Sequence, residues 1–192
     1  MARQGSALRK IVIAGALGAI SVVLFLTNIG LIPWIAGASI TVMHVPVIIG
    51  AVLEGPIVGS AVGLVFGVSA LIKAGVAPQG PIDVFFVNPL ISVLPRILVG
   101  VAAWAAYRAF RGKAGPVAAA AAGIAGSLAN SFLVLGALVL FGAIPLATAL
   151  AVFAANGLIE AAAAAVLTAG VVSAWKGIEG SGGKARLADE EK

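Results

Sequence analysis

The sequence predicts an all-α membrane protein with six transmembrane helices and both termini cytoplasmic. Three observations carry this reading. The chain is 61% hydrophobic and only 10% charged, with a mean hydropathy of +1.16. A soluble domain carries about 25% charged residues, so these are too few to coat a water-facing surface. Apolar runs near the length of about 20 residues that a bilayer-crossing helix needs recur along the chain. The basic residues gather in the segments that flank those runs.

The elements follow in order. Residues 1–10 form a short basic N-terminus with Arg3, Arg9 and Lys10. A cleavable signal peptide would share that start, but "AGALGA" (14–19) lies mid-run and the run continues to Thr27, so a retained first span over 11–27 is expected. The second and third spans, 40–53 and 56–73, are separated by Gly55-Pro56; proline stops one helix and suits the first position of the next. The fourth span is 89–108, the fifth 115–141 and the sixth 145–174, so that 11–175 reads as one six-helix unit. The remainder, 176–192, is glycine-rich and charged, and reads as a flexible cytoplasmic tail.

Charge placement orients the chain. Arg3, Arg9 and Lys10 precede the first span, Arg108, Arg111 and Lys113 follow the fourth, and Lys176, Lys184 and Arg186 follow the sixth. An even number of spans separates these clusters, and the positive-inside rule puts all of them in the cytoplasm. The net charge of +5 is therefore a topology signal and not a nucleic-acid-binding face. The opposite side carries 28–39, 74–88 and 142–144, whose only charge is Asp83, with Lys73 at the adjoining helix end. Trp34, Phe85 and Phe86 sit in these segments, either as interfacial anchors or as parts of a lid over a cavity.

Polar residues inside the spans are the candidate functional groups. Asn88 and Arg96 belong to the fourth span, Ser127 and Asn130 to the fifth, Asn156 and Glu160 to the sixth, and His44 to the start of the second. At about 1.5 Å per residue, Arg96 lies roughly 10 Å below the outer end of its helix, and Asn130 and Asn156 roughly 16 Å below theirs. Asn156 and Glu160 are four apart and share a face. An arginine facing lipid costs about 2.5–3.5 kcal/mol on insertion scales, so these groups are expected to face inward. Two arrangements would satisfy them. One is an Arg96–Glu160 ion pair with the asparagines bonded between helices. The other is a polar pocket open to the outside, in which the amides suit a neutral polar ligand and the arginine fork a carboxylate or phosphate.

Small residues form two further patterns. Glycine recurs at 55, 59, 63 and 67, which suits close helix packing inside the chain. Ala14/Gly18 and Gly15/Ala19 do the same on the first span, where packing within the chain competes with a docking surface for another subunit.

Several chemistries lack their residues. There are no cysteines, so no disulfide, thiolate metal site or cysteine nucleophile. No His or carboxylate cluster has metal-ligand spacing, and no cofactor is expected. "GSGGKA" (180–185) lacks the glycine and the Ser or Thr that a phosphate-binding loop needs, so no ATPase motif is visible. "GVSAL" (67–71) is a poor nucleophile turn and the chain has one histidine, so no catalytic residue is assigned.

Four blocks together carry a family resemblance: "HVPVIIGAVLEGPIVGSAVGLVFGVSALI" (44–72), "NPLISVLPRILVG" (88–100), "GSLANSFLVLGAL" (126–138) and "NGLIEAAAAAV" (156–166). Over about residues 8–175 the chain resembles the substrate-binding S components of energy-coupling factor (ECF) vitamin transporters. It departs from them in its richness in alanine and glycine at 117–125 and 161–165. The resemblance implies a subunit in a prokaryotic plasma membrane that captures a vitamin or precursor from outside, with pantothenate the first candidate. It implies a transmembrane coupling subunit and two ATPase subunits as partners, with the coupling subunit docked on Ala14, Gly15, Gly18 and Ala19. It points to Trp34, Asn88, Arg96, Asn130, Asn156 and Glu160 as ligand-binding residues. A self-sufficient channel or carrier, and an intramembrane enzyme using His44, are the competing readings.

Overall fold

Proline and glycine set the boundaries of nearly every helix in this bundle. The computed structural model describes the backbone of residues 2–29, 31–33 and 39–190, and the side chains of 7–29 and 41–177. Helix α1 (Ala2–Leu26) leads into a hairpin of β1 (Leu31–Pro33) and β2 (Ser39–Thr41), paired antiparallel with Ile32 opposite Ile40. Then come α2 (Val45–Glu54) and α3 (Pro56–Val76), a 3₁₀ turn (Asp83–Val87), α4 (Pro89–Ser92), α5 (Leu94–Ala109), α6 (Gly115–Leu140) and α7 (Leu146–Glu190). Proline stands at the start of α2, α3, α4 and α6, where its missing N–H leaves no helical bond unmade, and at the start of α5, where it interrupts the Pro89–Ala109 crossing. Gly55, at φ +96°, makes the α2–α3 corner in a backbone region that favours glycine.

Five of the described segments are long and apolar enough to cross a membrane: Ala7–Leu26, Pro56–Val76, Pro89–Ala109, Gly115–Leu140 and Leu146–Gly177. The outward residues agree, with Leu140 82%, Leu158 73%, Val166 72% and Phe132 71% exposed, a surface suited to lipid. The chain is a multi-pass membrane protein.

The second span needs correcting. The segment 40–53, counted as a sixth span though short for one, is α2, which has only 10 residues, about 15 Å, or half the hydrocarbon thickness. Every residue from Val45 to Val52 in it is buried. Met43 and His44, which lead into α2, are buried as well, the condition under which non-helical backbone is tolerated at membrane depth.

Two side-chain contacts put the basic segments at one end of the bundle. Arg9 Nε donates to Glu54 Oε1 at 2.6 Å, joining the start of α1 to the α2–α3 corner. Lys176 Nζ donates to the Tyr107 hydroxyl at 2.6 Å, joining α7 to the end of α5. At the other end, Lys73 Nζ donates to Asn28 Oδ1 at 2.9 Å. The helical backbone of α7 runs on to Glu190, through the residues that the sequence assigns to an irregular tail. The helix-forming residues of "KARLADE" (184–190) suit that continuation.

The glycines of α3 pack inside the chain. A Cβ on Gly63 would collide with the Arg96 carbonyl, and one on Gly67 would lie 2.7 Å from Val93 Cα. A Cβ on Gly100 would lie 2.6 Å from the Gly59 carbonyl carbon. Helices α3 and α5 therefore touch backbone to backbone, and this contact positions Arg96. Gly63→Ala is expected to destabilise the protein by about 1–3 kcal/mol, the usual cost of overpacking. Thermal unfolding in detergent followed by circular dichroism measures it. Gly15→Ala, where nothing lies within 4 Å, is the matched control and should leave the midpoint unchanged.

Candidate functional site

The site begins with a proline. Pro95 has no N–H, so the Ile91 carbonyl loses its helical donor, and the crossing breaks at Val93 between α4 and α5. Arg96 Nη1 donates to that same carbonyl at 2.7 Å. The guanidinium lies between two rings, 5.5 Å from the centroid of Phe66 and 5.3 Å from that of Phe86, a favourable place for a desolvated cation. Arg96 is only 8% exposed, and its Nε is buried without a hydrogen-bond partner.

The Arg96–Glu160 ion pair allowed by the sequence does not form. Glu160 instead accepts from the Thr41 backbone N–H at 2.8 Å and from Ser131 Oγ at 3.2 Å. It faces a different part of the bundle because β2 brings the Thr41 backbone to it. Among the described residues no carboxylate is paired with Arg96.

Two cavities separate the polar groups. The larger, about 300 Å³, is lined by Phe25, Phe66, Lys73, Asp83, Phe86 and Arg96, and also by Thr41, Asn130 and Val134. The smaller, about 170 Å³, holds Ser131, Phe153, Asn156 and Glu160, and shares Thr41, Asn130 and Val134 with the larger. Asn130 Oδ1 and Asn156 Oδ1 are buried without partners.

The other charged groups of the larger cavity are locally held. Lys73 Nζ donates to Asn28 Oδ1 and, at 3.3 Å, to the Phe25 carbonyl, and sits 4.6 Å from the centre of the Phe25 ring. Asp83 Oδ2 accepts from the N–H groups of Gln79 and Gly80 at 2.7 and 3.1 Å, which shapes the α3–α4 segment.

Of the residues singled out in the sequence, Arg96, Asn130, Asn156 and Glu160 thus line two adjoining cavities. Asn88 lines neither. Its Oδ1 accepts from the Leu90 N–H at 2.9 Å and caps α4, the ordinary duty of an asparagine before a helix-initiating proline. Trp34 lies outside the described residues. His44 is 1% exposed at the start of α2, and neither ring nitrogen has a partner among the described residues. Sequence reasoning missed Lys73, Asp83, Phe66, Thr41 and Ser131 as cavity residues. Lys73 and Asp83 carried a signal, since they stand almost alone as charges on their side of the membrane.

The four small residues of α1 divide. Gly18 is buried against Val65, at 3.4 Å from where its Cβ would be, and Ala14 packs on the core. Gly15 and Ala19 are exposed. The α1 span is also the least covered of the long spans, with 17% of its window buried against 22–44% in the others.

A membrane-embedded helix bundle with a solute-sized, mostly apolar chamber that holds a few polar and charged groups at one end defines a class, the multi-pass membrane proteins that handle small molecules. Comparison with known proteins narrows the class. The family model described as "ECF transporter, substrate-specific component" matches residues 9–172. The chain is also 30% identical over 152 residues to the pantothenic acid transporter PanT of Lactococcus lactis subsp. cremoris (strain MG1363), covering 70% of this chain and 76% of that protein. This chain belongs to the substrate-specific component family of ECF transporters.

Proposed function

We propose that the chain captures pantothenate, or a closely related carboxylate-bearing vitamin precursor, and passes it through a coupling subunit driven by two ATPases on other chains. The observation that carries this reading is Arg96: a buried guanidinium at a cavity of about 300 Å³, with no carboxylate paired to it among the described residues. Lys73 adds a second cation and Phe66 and Phe86 an apolar wall. A small carboxylate fits such a chamber, where charge-assisted bonds work in surroundings with little water. The similarity to a pantothenic acid transporter supports the choice of ligand.

Orientation follows from charge. Arg9, Arg108, Arg111, Lys113 and Lys176 belong to the end opposite Lys73 and the cavities. The positive-inside rule makes that basic end cytoplasmic, so the chamber faces outward in a prokaryotic plasma membrane. Docking of the coupling subunit is assigned to α1, chiefly through the exposed Gly15 and Ala19. Ala14 and Gly18, turned inward, hold the helix against α3.

Two measurements test the function. Calorimetric titration of the detergent-purified chain with pantothenate and a panel of B vitamins should give tight binding of pantothenate, and mass spectrometry of the purified protein should find a retained small molecule. An empty protein that binds no panel member would overturn the reading. For the docking face, Gly15→Leu with Ala19→Leu is expected to abolish uptake in cells carrying the whole transporter while leaving ligand affinity within about twofold, since bulky groups block close helix approach. Loss of both together would reject the assignment.

A further inference from the structure

We infer that the two cavities are halves of one ligand site with opposite chemical preferences. The larger half takes the ligand's carboxylate at Arg96 and Lys73, and the smaller half takes its neutral hydrogen-bond donors at Glu160 and Asn156. This rests on the function proposed above and adds the direction in which the ligand lies and the substrate class that direction selects.

Continuity is the first support. Thr41, Asn130 and Val134 line both cavities, so the two adjoin with only these residues between them. A ligand extending past Asn130 leaves one and enters the other. Their volumes, about 300 and 170 Å³, together suit one elongated small molecule better than two separate ones.

Charge is the second support. The larger half contains Arg96 and Lys73 against one carboxylate, and that carboxylate, Asp83, is engaged by two backbone N–H groups. Among the described residues the smaller half contains Glu160 and no cation. Each Glu160 oxygen carries one hydrogen bond, from Thr41 or from Ser131, and each can accept another.

Unsatisfied groups are the third support. Arg96 Nε, Asn130 Oδ1 and Asn156 Oδ1 are buried without partners. Groups left in that state cost free energy unless something bonds them. A donor waits in the first half and acceptors wait at the junction and in the second half. The complement is a monocarboxylate with amide or hydroxyl donors at its far end. A dicarboxylate would meet Glu160, and a ligand without an anion would leave Arg96 unanswered.

Pantothenate cut back at either end tests the direction on the full-length protein in detergent. The probes are pantothenate, panthenol (its carboxylate replaced by an alcohol) and 3,3-dimethylbutanoyl-β-alanine (its two hydroxyls removed). Calorimetric affinities are compared in the unaltered chain, in Arg96→Gln and in Glu160→Gln. In the unaltered chain each truncation should weaken binding about tenfold or more, as expected for loss of bonds to charged groups. Arg96→Gln should reduce the carboxylate effect to about threefold or less and keep the full hydroxyl effect; Glu160→Gln should do the reverse, because only contacting groups couple. Lys73→Gln and Asn156→Ala give the same cycle should either first variant fail to fold. The reversed pattern, or no coupling of either truncation to either residue, overturns the inference while the capture of pantothenate stands. Absence of pantothenate binding to the unaltered chain overturns the function, and the inference with it.

Discussion

Arg96→Ala is expected to weaken pantothenate binding by about 30-fold or more, because truncating one member of a buried charge pair costs about 2–5 kcal/mol. The fold should survive. Among the described residues Arg96 has no carboxylate partner, so its removal strands no buried charge there. The group left behind is the Ile91 carbonyl, already deprived of a helical donor by Pro95, and an unsatisfied carbonyl costs about 1–3 kcal/mol. The variant should therefore unfold a few degrees earlier and bind far more weakly. Calorimetry and a melting curve on the same preparation separate the two effects. Unchanged affinity with a collapsed melting point would make Arg96 a helix-break cap and nothing more. Arg96→Lys should rescue little, since an ammonium cannot both hold Ile91 and present a planar fork to a carboxylate.

The second large effect is expected at Glu160. Its carboxylate ties β2 to α7 through the Thr41 N–H and to α6 through Ser131. Glu160→Leu leaves the Thr41 N–H without its acceptor at membrane depth, where water is scarce. Loss of a hydrogen bond to a charged group is worth about 1.5–3 kcal/mol. Local opening governs amide exchange, so a loss of about 2 kcal/mol should speed exchange at Thr41 about 30-fold. Hydrogen–deuterium exchange read by mass spectrometry over 39–44 measures this. Glu160→Gln keeps an acceptor oxygen and should show a smaller change. Equal, slow exchange in all three proteins would show that the strand is held by its other neighbours.

Much of the architecture was legible beforehand. The expected span 56–73 is α3 at Pro56–Val76, 89–108 is the Pro89–Ala109 crossing, and 115–141 is α6 at Gly115–Leu140. These boundaries were readable because proline and glycine act locally, through a missing N–H or a missing Cβ, whatever the rest of the chain does. The spacing of glycines 59, 63 and 67 likewise announced a close helix contact, though not that its partner was the backbone of Arg96. The second span reads as short in the sequence, but apolar length cannot tell a helix facing lipid from one enclosed by protein.

The candidate site was legible by residue type and not by arrangement. An arginine, two asparagines and a glutamate in apolar helices must turn inward, since lipid offers them no partners. Which of them meet depends on how the helices rotate and on non-local backbone. The Ile91 carbonyl, freed five residues away, holds Arg96, and the Thr41 N–H, 119 residues away, holds Glu160. Lys73 enters the cavity because α3 packs beside α1 and its side chain bends to Asn28.

The sequence by itself thus determined a multi-pass helical membrane protein, most of its helix boundaries and the set of buried polar groups, because hydrophobicity, helix breaking and the cost of polarity in lipid are properties of each residue and its near neighbours. The tertiary structure alone decided that the second crossing is a short enclosed helix, that Arg96 and Glu160 face separate cavities, and that Asn130 stands where those cavities meet. Those outcomes depend on contacts between residues distant in the chain, and spacing along the chain does not encode the rotation of one helix against another.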